Sequence, residues 1–305
     1  MPRQLADHQL GTILVVLAAV AFGTTGTVAE YAPPVASPLA LGVVRLTIGG
    51  PLLVLAACAT RSRPGPVVPY GRSMIAGGIG VAVFQLLYFV ATTRTGVAVA
   101  TVVTIGSGPL FSGVIHAAIT HRMPSRSWRV GTASCICGVA LVALTGDRDA
   151  VDLGGVLAAL GSGFGWASFT TLSKHQIGRG LAATMSLGCM FTAAAVMTGP
   201  LMLFQPMAWL LTGRGSLVAV YLGVATLAIA YTLYGRGLSF LTAPTVITLT
   251  LVEPVTAAVL AAAVLGERIT AAGWAGVAVV VVGLAITSRG SAVDRSRPAG
   301  GPTER

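Results

Sequence analysis

The chain has 305 residues, of which 54% are hydrophobic and only 9% charged, with a mean hydropathy of +0.85. Soluble domains carry roughly a quarter charged residues, so a water-solvated globule is excluded and the solvent for most of the surface is lipid. The net charge of +10 would also suit a nucleic-acid binder, but its distribution along the chain points to membrane topology, and nucleic acid is set aside as a partner.

Apolar blocks long enough to span a bilayer as helices recur at 10–29, 38–60, 73–93, 96–119, 128–145, 153–173, 184–204, 216–235, 242–265 and 270–288. The expected fold is therefore all-α, an integral membrane protein of ten transmembrane helices. Residues 1–9 form a short cytoplasmic N-terminus and 146–152 an extracytoplasmic linker, while 289–305 have the composition of a disordered cytoplasmic tail. With the N-terminus inside, only Arg94, Arg148, Arg214 and Arg268 fall outside. Arg45 lies within a helix, and the other fourteen basic residues face the cytoplasm. The positive-inside rule then places both termini in the cytoplasm, in a multi-pass protein of the cytoplasmic membrane. The first block stays as a helix rather than a cleaved signal peptide.

The two halves repeat. At a constant offset of 145 residues Pro254 falls on Pro109, Gly276 on Gly131, Gly283 on Gly138 and Gly223 on Gly78. The openings LGTILVVLAAVAFG from Leu10 and LGGVLAALGSGFGW from Leu153 are alike at an offset of 143. Residues 10–145 and 153–288 are each read as a five-helix unit. An odd number of crossings inverts the second unit, which is a mark of secondary transporters with midplane sites. Gly108–Pro109 in TIGSGPLFSG and Pro254 in LTLVEPVTA are read as matched helix breaks at a cavity.

Two charges sit deep in the apolar blocks, Arg45 and Glu253. At 1.5 Å per residue they lie about 10 Å from the outer and about 16 Å from the inner surface of a core about 30 Å thick. Such charges are costly unless they face a cavity or each other. Arg45 is a candidate for a substrate carboxylate, and Glu253 for proton coupling; the competing reading makes both structural. Gln85 and Tyr88 share a face, as do Tyr231 and Tyr234. With Phe22 and Trp166 they complete the candidate substrate-binding set. The glycines of Gly23-Thr-Thr-Gly26 and Gly161-Ser-Gly-Phe-Gly165 are spaced for close helix approach, within the bundle or at a dimer face. The four cysteines match no metal spacing and read as packing residues. No P-loop is present, and neither a metal nor another cofactor is expected.

At EPVTAAVLAAAVLGERIT, followed by G-x6-G, and at VVRLTIGGPLLVL the chain resembles EamA-like members of the drug/metabolite transporter superfamily. The resemblance covers about residues 10–288. It implies two five-helix repeats, a central cavity and export or exchange of small polar metabolites, amino acids and their derivatives among them. Where the family often repeats Gly-Glu at the end of both halves, this chain has Gly266-Glu267 in the second and His121-Arg122 in the first. The expected activity is secondary-active export of a small molecule, with a proton as candidate co-substrate and the protein as monomer or homodimer. Efflux of drugs or toxic compounds is the alternative. An intramembrane lipid-handling enzyme would need a catalytic pair at depth, and only one carboxylate lies there.

Overall fold

The computed structural model describes residues 2–59, 68–143, 152–264 and 271–296. Most of residues 146–152, and Gly266-Glu267, lie outside them. Helix α1 (Pro2–Ala29) is followed by α2 (Pro38–Ala59), α3 (Gly71–Thr120), α4 (Arg126–Ala143), α5 (Leu153–Gly178) and α6 (Ala183–Thr198). Then come α7 (Gly213–Gly223), α8 (Ala230–Phe240), α9 (Ala243–Leu249), α10 (Val252–Val264) and α11 (Ala271–Ser296). Starts are set by local chemistry. Ser37 Oγ accepts from Ala40 N at 3.1 Å, Asp152 caps Gly154 and Gly155, and Thr212 accepts from Gly215 N at 3.1 Å.

Among the described residues seven helices are long and apolar enough to cross a membrane: Leu5–Ala29, Pro38–Ala59, Gly71–Thr95, Val103–Thr120, Ala183–Phe204, Gly213–Phe240 and Ala243–Val264. The three other expected blocks are occupied by α4, α5 and α11. They are less apolar or shorter for identifiable reasons. α4 opens on Arg126 and Arg129, α5 turns Ser162, Thr170, Ser173 and Gln176 into the interior, and α11 is apolar over Ala271–Ile286. α11 itself stays helical to Ser296, so residues 289–296 continue a helix where a disordered tail was expected.

The third and fourth expected blocks, found at Gly71–Thr95 and Val103–Thr120, are joined within one helical stretch, α3, that turns back on itself between them. Tyr88 Oη and Thr101 Oγ1 are 2.7 Å apart, whereas thirteen residues of straight helix would separate them by about 20 Å. α5 accordingly runs antiparallel to the first limb, with Ser162 Oγ donating to Phe84 O at 2.8 Å. It runs parallel to the second, with Thr104 Oγ1 donating to Ala159 O at 3.2 Å.

α4 and α11 pack antiparallel through reciprocal contacts. A Cβ on Gly138 would lie 2.7 Å from Gly276 O, and one on Gly283 2.7 Å from Gly131 O. Between them Cys135 Sγ donates to Val280 O at 3.6 Å. Cys135 and Val280 are counterparts 145 positions apart, and the two flanking glycine pairings exchange into each other at the same offset. On the basic-poor faces expected outside, Arg94 meets Asp152 at 3.6 Å and the Arg214 guanidinium donates to Tyr31 O.

Candidate functional site

Three local departures from regular helix position the site. The first joins α7 to α8, where Val224–Ile229 adopt π-helical geometry. The backbone N–H of Ala230, which in an α-helix would donate to Thr226 O, reaches Ala225 O and Leu227 O instead. Thr226 O then accepts Arg45 Nη2 from α2 at 2.9 Å.

The second departure separates α9 from α10 at Thr250–Leu251. Leu251 N turns back to Thr248 O and Glu253 N to Thr250 O at 2.9 Å. Pro254 thereby falls in the first turn of α10, where its missing N–H costs no hydrogen bond, and Glu253 is carried on the same turn.

The third is the doubling of α3, which brings Tyr88 and Thr101 together beside the end of its first limb. The matched break expected at Gly108–Pro109 is not there: α3 runs helically through Pro109. The physical difference lies in the neighbour. Gly108 packs against the Trp166 ring, with a Cβ there only 2.6 Å from Cε3, so α5 braces the backbone at this point. At the equivalent place in the second half Glu253 stands beside Gly23 of α1. A Cβ on Gly23 would lie 2.8 Å from Glu253 O and 2.6 Å from Thr256 Cβ. Tryptophan against glycine in one half answers glycine against glutamate in the other.

The charged centre is Arg45 with Glu253. The two feel each other's charge, together with the Tyr231 phenol. They do not close to an ion pair within 4.0 Å; the ion pair among the described residues is Arg94–Asp152. Arg45 Nε is buried with no hydrogen-bond partner, so Thr226 O takes one arm of the guanidinium and leaves the Nε edge unused. Tyr88 lies within electrostatic reach of Glu253. Gln85 lies over Gly42, one helical turn before Arg45, so closely that any side chain at Gly42 would strike its amide. Gln85 is 9% exposed and makes no hydrogen bond among the described residues.

The structure thus gathers Arg45, Gln85, Tyr88, Tyr231 and Glu253 from four helices. Aromatic rings wall them off. Tyr231 stacks on Phe191 at 4.3 Å and on Phe22 at 4.8 Å, and Phe169 joins Phe191 at 5.6 Å. Trp166 and Tyr234 belong to the packed side of this wall. Tyr234 is fully buried and its hydroxyl is engaged with Thr170 Oγ1 at 2.8 Å. Sequence reasoning passed over Phe169, Phe191, Gly42 and Thr226. The first three carry weak signals, since ordinary apolar and small residues dominate every span. Thr226 carries none, because VATLAI contains neither proline nor glycine.

Comparison with known proteins agrees with this architecture. The model of the EamA-like transporter family matches twice, over residues 9–144 and 153–289. The uncharacterized transporter YwfM of Bacillus subtilis (strain 168) is 34% identical over 277 residues, covering 91% of this chain and 93% of that protein. A solved crystal structure of another protein superimposes with a TM-score of 0.77 at 20% identity, over 92% of this chain and 98% of its own, a likeness of fold. With both halves of the chain matched, this protein belongs to the EamA-like transporter family and is a multi-pass membrane protein.

Proposed function

We propose that the protein is a secondary-active transporter that exports small polar metabolites, amino acids or their derivatives among them. Ten crossings form two inverted five-helix halves that rock about a midplane site in the cytoplasmic membrane, with both termini inside. One observation carries this reading: two opposite charges, Arg45 and Glu253, stand within the apolar bundle without being consumed by each other. A substrate carboxylate suits the open Nε edge of Arg45. Glu253 is the coupling carboxylate, taking a proton as substrate leaves. The inverted arrangement is supported by the reciprocal contacts of Gly138 with Gly276 and Gly283 with Gly131. The meeting of Arg94 with Asp152 supports placing these two connections on one side of the membrane, and the charge bias along the chain is the reason to take that side as the outside.

The aromatic wall of Phe22, Phe191 and Tyr231 favours a second reading, efflux of apolar drugs. Cells overproducing the protein, challenged with toxic amino acids, their analogues and drugs, separate the two by which class they survive. Purified protein in liposomes with an imposed pH gradient then tests transport directly. Failure to move any compound from a protective class under any gradient would overturn the reading.

A further inference from the structure

Outside the central site, one surface feature combines apolar walls with an unanswered charge. α1 and α8 cross antiparallel at their closest approach, where a Cβ on Gly11 would lie 2.9 Å from Phe240 Cβ and one on Gly237 2.9 Å from Gly11 O. Because the helices touch backbone to side chain, a groove opens along the outer edge of the seam, lined by Leu10, Leu14, Arg236, Ser239 and Phe240. Leu10 is 46% exposed, and Arg236 and Ser239 are also exposed. These residues face lipid, since Gly213–Phe240 is one of the apolar spans.

Arg236 lies inside that span, about one turn before its end. Among the described residues it has no hydrogen bond or ion pair. A lipid-facing arginine at this depth extends toward the headgroups and needs an anion there. A second cation stands at the same helix end. Lys174 Nζ donates to Leu238 O at 2.6 Å and Ser239 O at 3.3 Å, which fixes positive charge beside the last turn of α8. The chain's basic residues concentrate on this side of the membrane by the sequence pattern, the side on which anionic lipids present their charge.

We propose that the α1–α8 seam binds one anionic phospholipid, its phosphate on Arg236 and an acyl chain along Leu10, Leu14 and Phe240. Charge complementarity selects the headgroup, and Leu10, Leu14 and Phe240 supply the apolar lining. The lipid ties a helix of the first half to a helix of the second, so its occupancy bears on how firmly the halves hold together. The inference is independent of what the protein carries.

Native mass spectrometry of the full-length protein, released from detergent with equal added phosphatidylglycerol and phosphatidylcholine, reads the site directly. The wild type should retain phosphatidylglycerol about fivefold over phosphatidylcholine, the selectivity of one basic residue at an anionic headgroup. Arg236→Gln should bring the ratio to about one, and Arg236→Lys should keep most of it. Leu14→Trp, which fills the groove and leaves the charges alone, should lose the bound lipid of either kind, and it serves as the test if Arg236→Gln fails to fold. Equal retention of both lipids by the wild type would overturn the proposal, as would unchanged selectivity in Arg236→Gln or unchanged lipid retention in Leu14→Trp. So would a dimer without lipid adducts that Arg236→Gln dissociates, which would assign the seam to a second copy of the chain.

Discussion

Arg45 Nη2 donates to Thr226 O at 2.9 Å, and that carbonyl is one the π-helical segment withholds from its own helix. The contact joins α2 to the α7–α8 span, and the guanidinium it holds lies within electrostatic reach of Tyr231 and Glu253. Lysine at this position keeps the charge but not the planar fork, so it cannot hold Thr226 O and present a second donor edge together. Arg45→Lys should fold, lose about 1.5–3 kcal/mol of stability with the charged hydrogen bond, and reduce transport by at least about tenfold. Thermal unfolding and liposome uptake measured on one preparation check both halves of the statement.

The π segment itself can be removed by deleting Ala225. Ala230 N–H then returns to Thr226 O, the helix becomes regular from α7 into α8, and Tyr231 keeps its place while Arg45 loses its acceptor. The deletion should raise or preserve helical stability and depress transport as much as Arg45→Lys does. A deletion variant that transports normally would show that the withheld carbonyl is incidental.

Glu253 stands on the first turn of α10 with no hydrogen bond to its carboxylate among the described residues. Glutamine preserves its size and removes its titration. Under an inward proton gradient, acid outside, the wild type should export faster than without one. Glu253→Gln should export at one rate in both conditions while still exchanging substrate across the membrane. Retention of gradient-driven export by the variant would take coupling away from this residue.

The motif Gly23-Thr-Thr-Gly26 contains two glycines with opposite surroundings. Gly23 is pressed against Thr256 and the Glu253 backbone, whereas a Cβ on Gly26 meets nothing within 4 Å. Gly23→Ala should destabilise by about 1–3 kcal/mol through overpacking against a backbone that cannot yield. Gly26→Ala should be neutral or stabilising by up to about 1 kcal/mol, since alanine loses less entropy in a helix. Paired thermal denaturation of the two variants gives the contrast in a single experiment.

The helices were legible because lipid imposes a length and a polarity on each crossing, and the caps at Ser37, Asp152 and Thr212 follow from side chains that bond locally. The similar depth of Arg45 and Glu253 was legible, because helix rise converts residue number into distance, but not whether their helices are neighbours. What escaped depends on neighbours. Pro109 and Pro254 look alike in sequence, yet Trp166 braces the first and Gly23 leaves room at the second. The π register at Val224–Ile229 answers an arginine 181 residues away from the carbonyl it binds, and no local residue pattern announces it. Tyr234 shares a helix face with Tyr231, but Thr170, on another helix, claims its hydroxyl.

The interleaving of Gly131, Cys135 and Gly138 with Gly276, Val280 and Gly283 has the form of an isologous interface, in which one patch meets another copy of itself. Here both patches lie in one polypeptide, one in each of the two stretches that the family model matches. Their identities are then free to drift apart. Cysteine already stands opposite valine, and tryptophan and glycine have parted company at Trp166 and Gly23. A symmetric dimer cannot place one carboxylate on its axis-related surfaces without placing two. A chain whose two halves differ in sequence can, and Glu253, with Gly108 at the matching position of the first half, is such a charge.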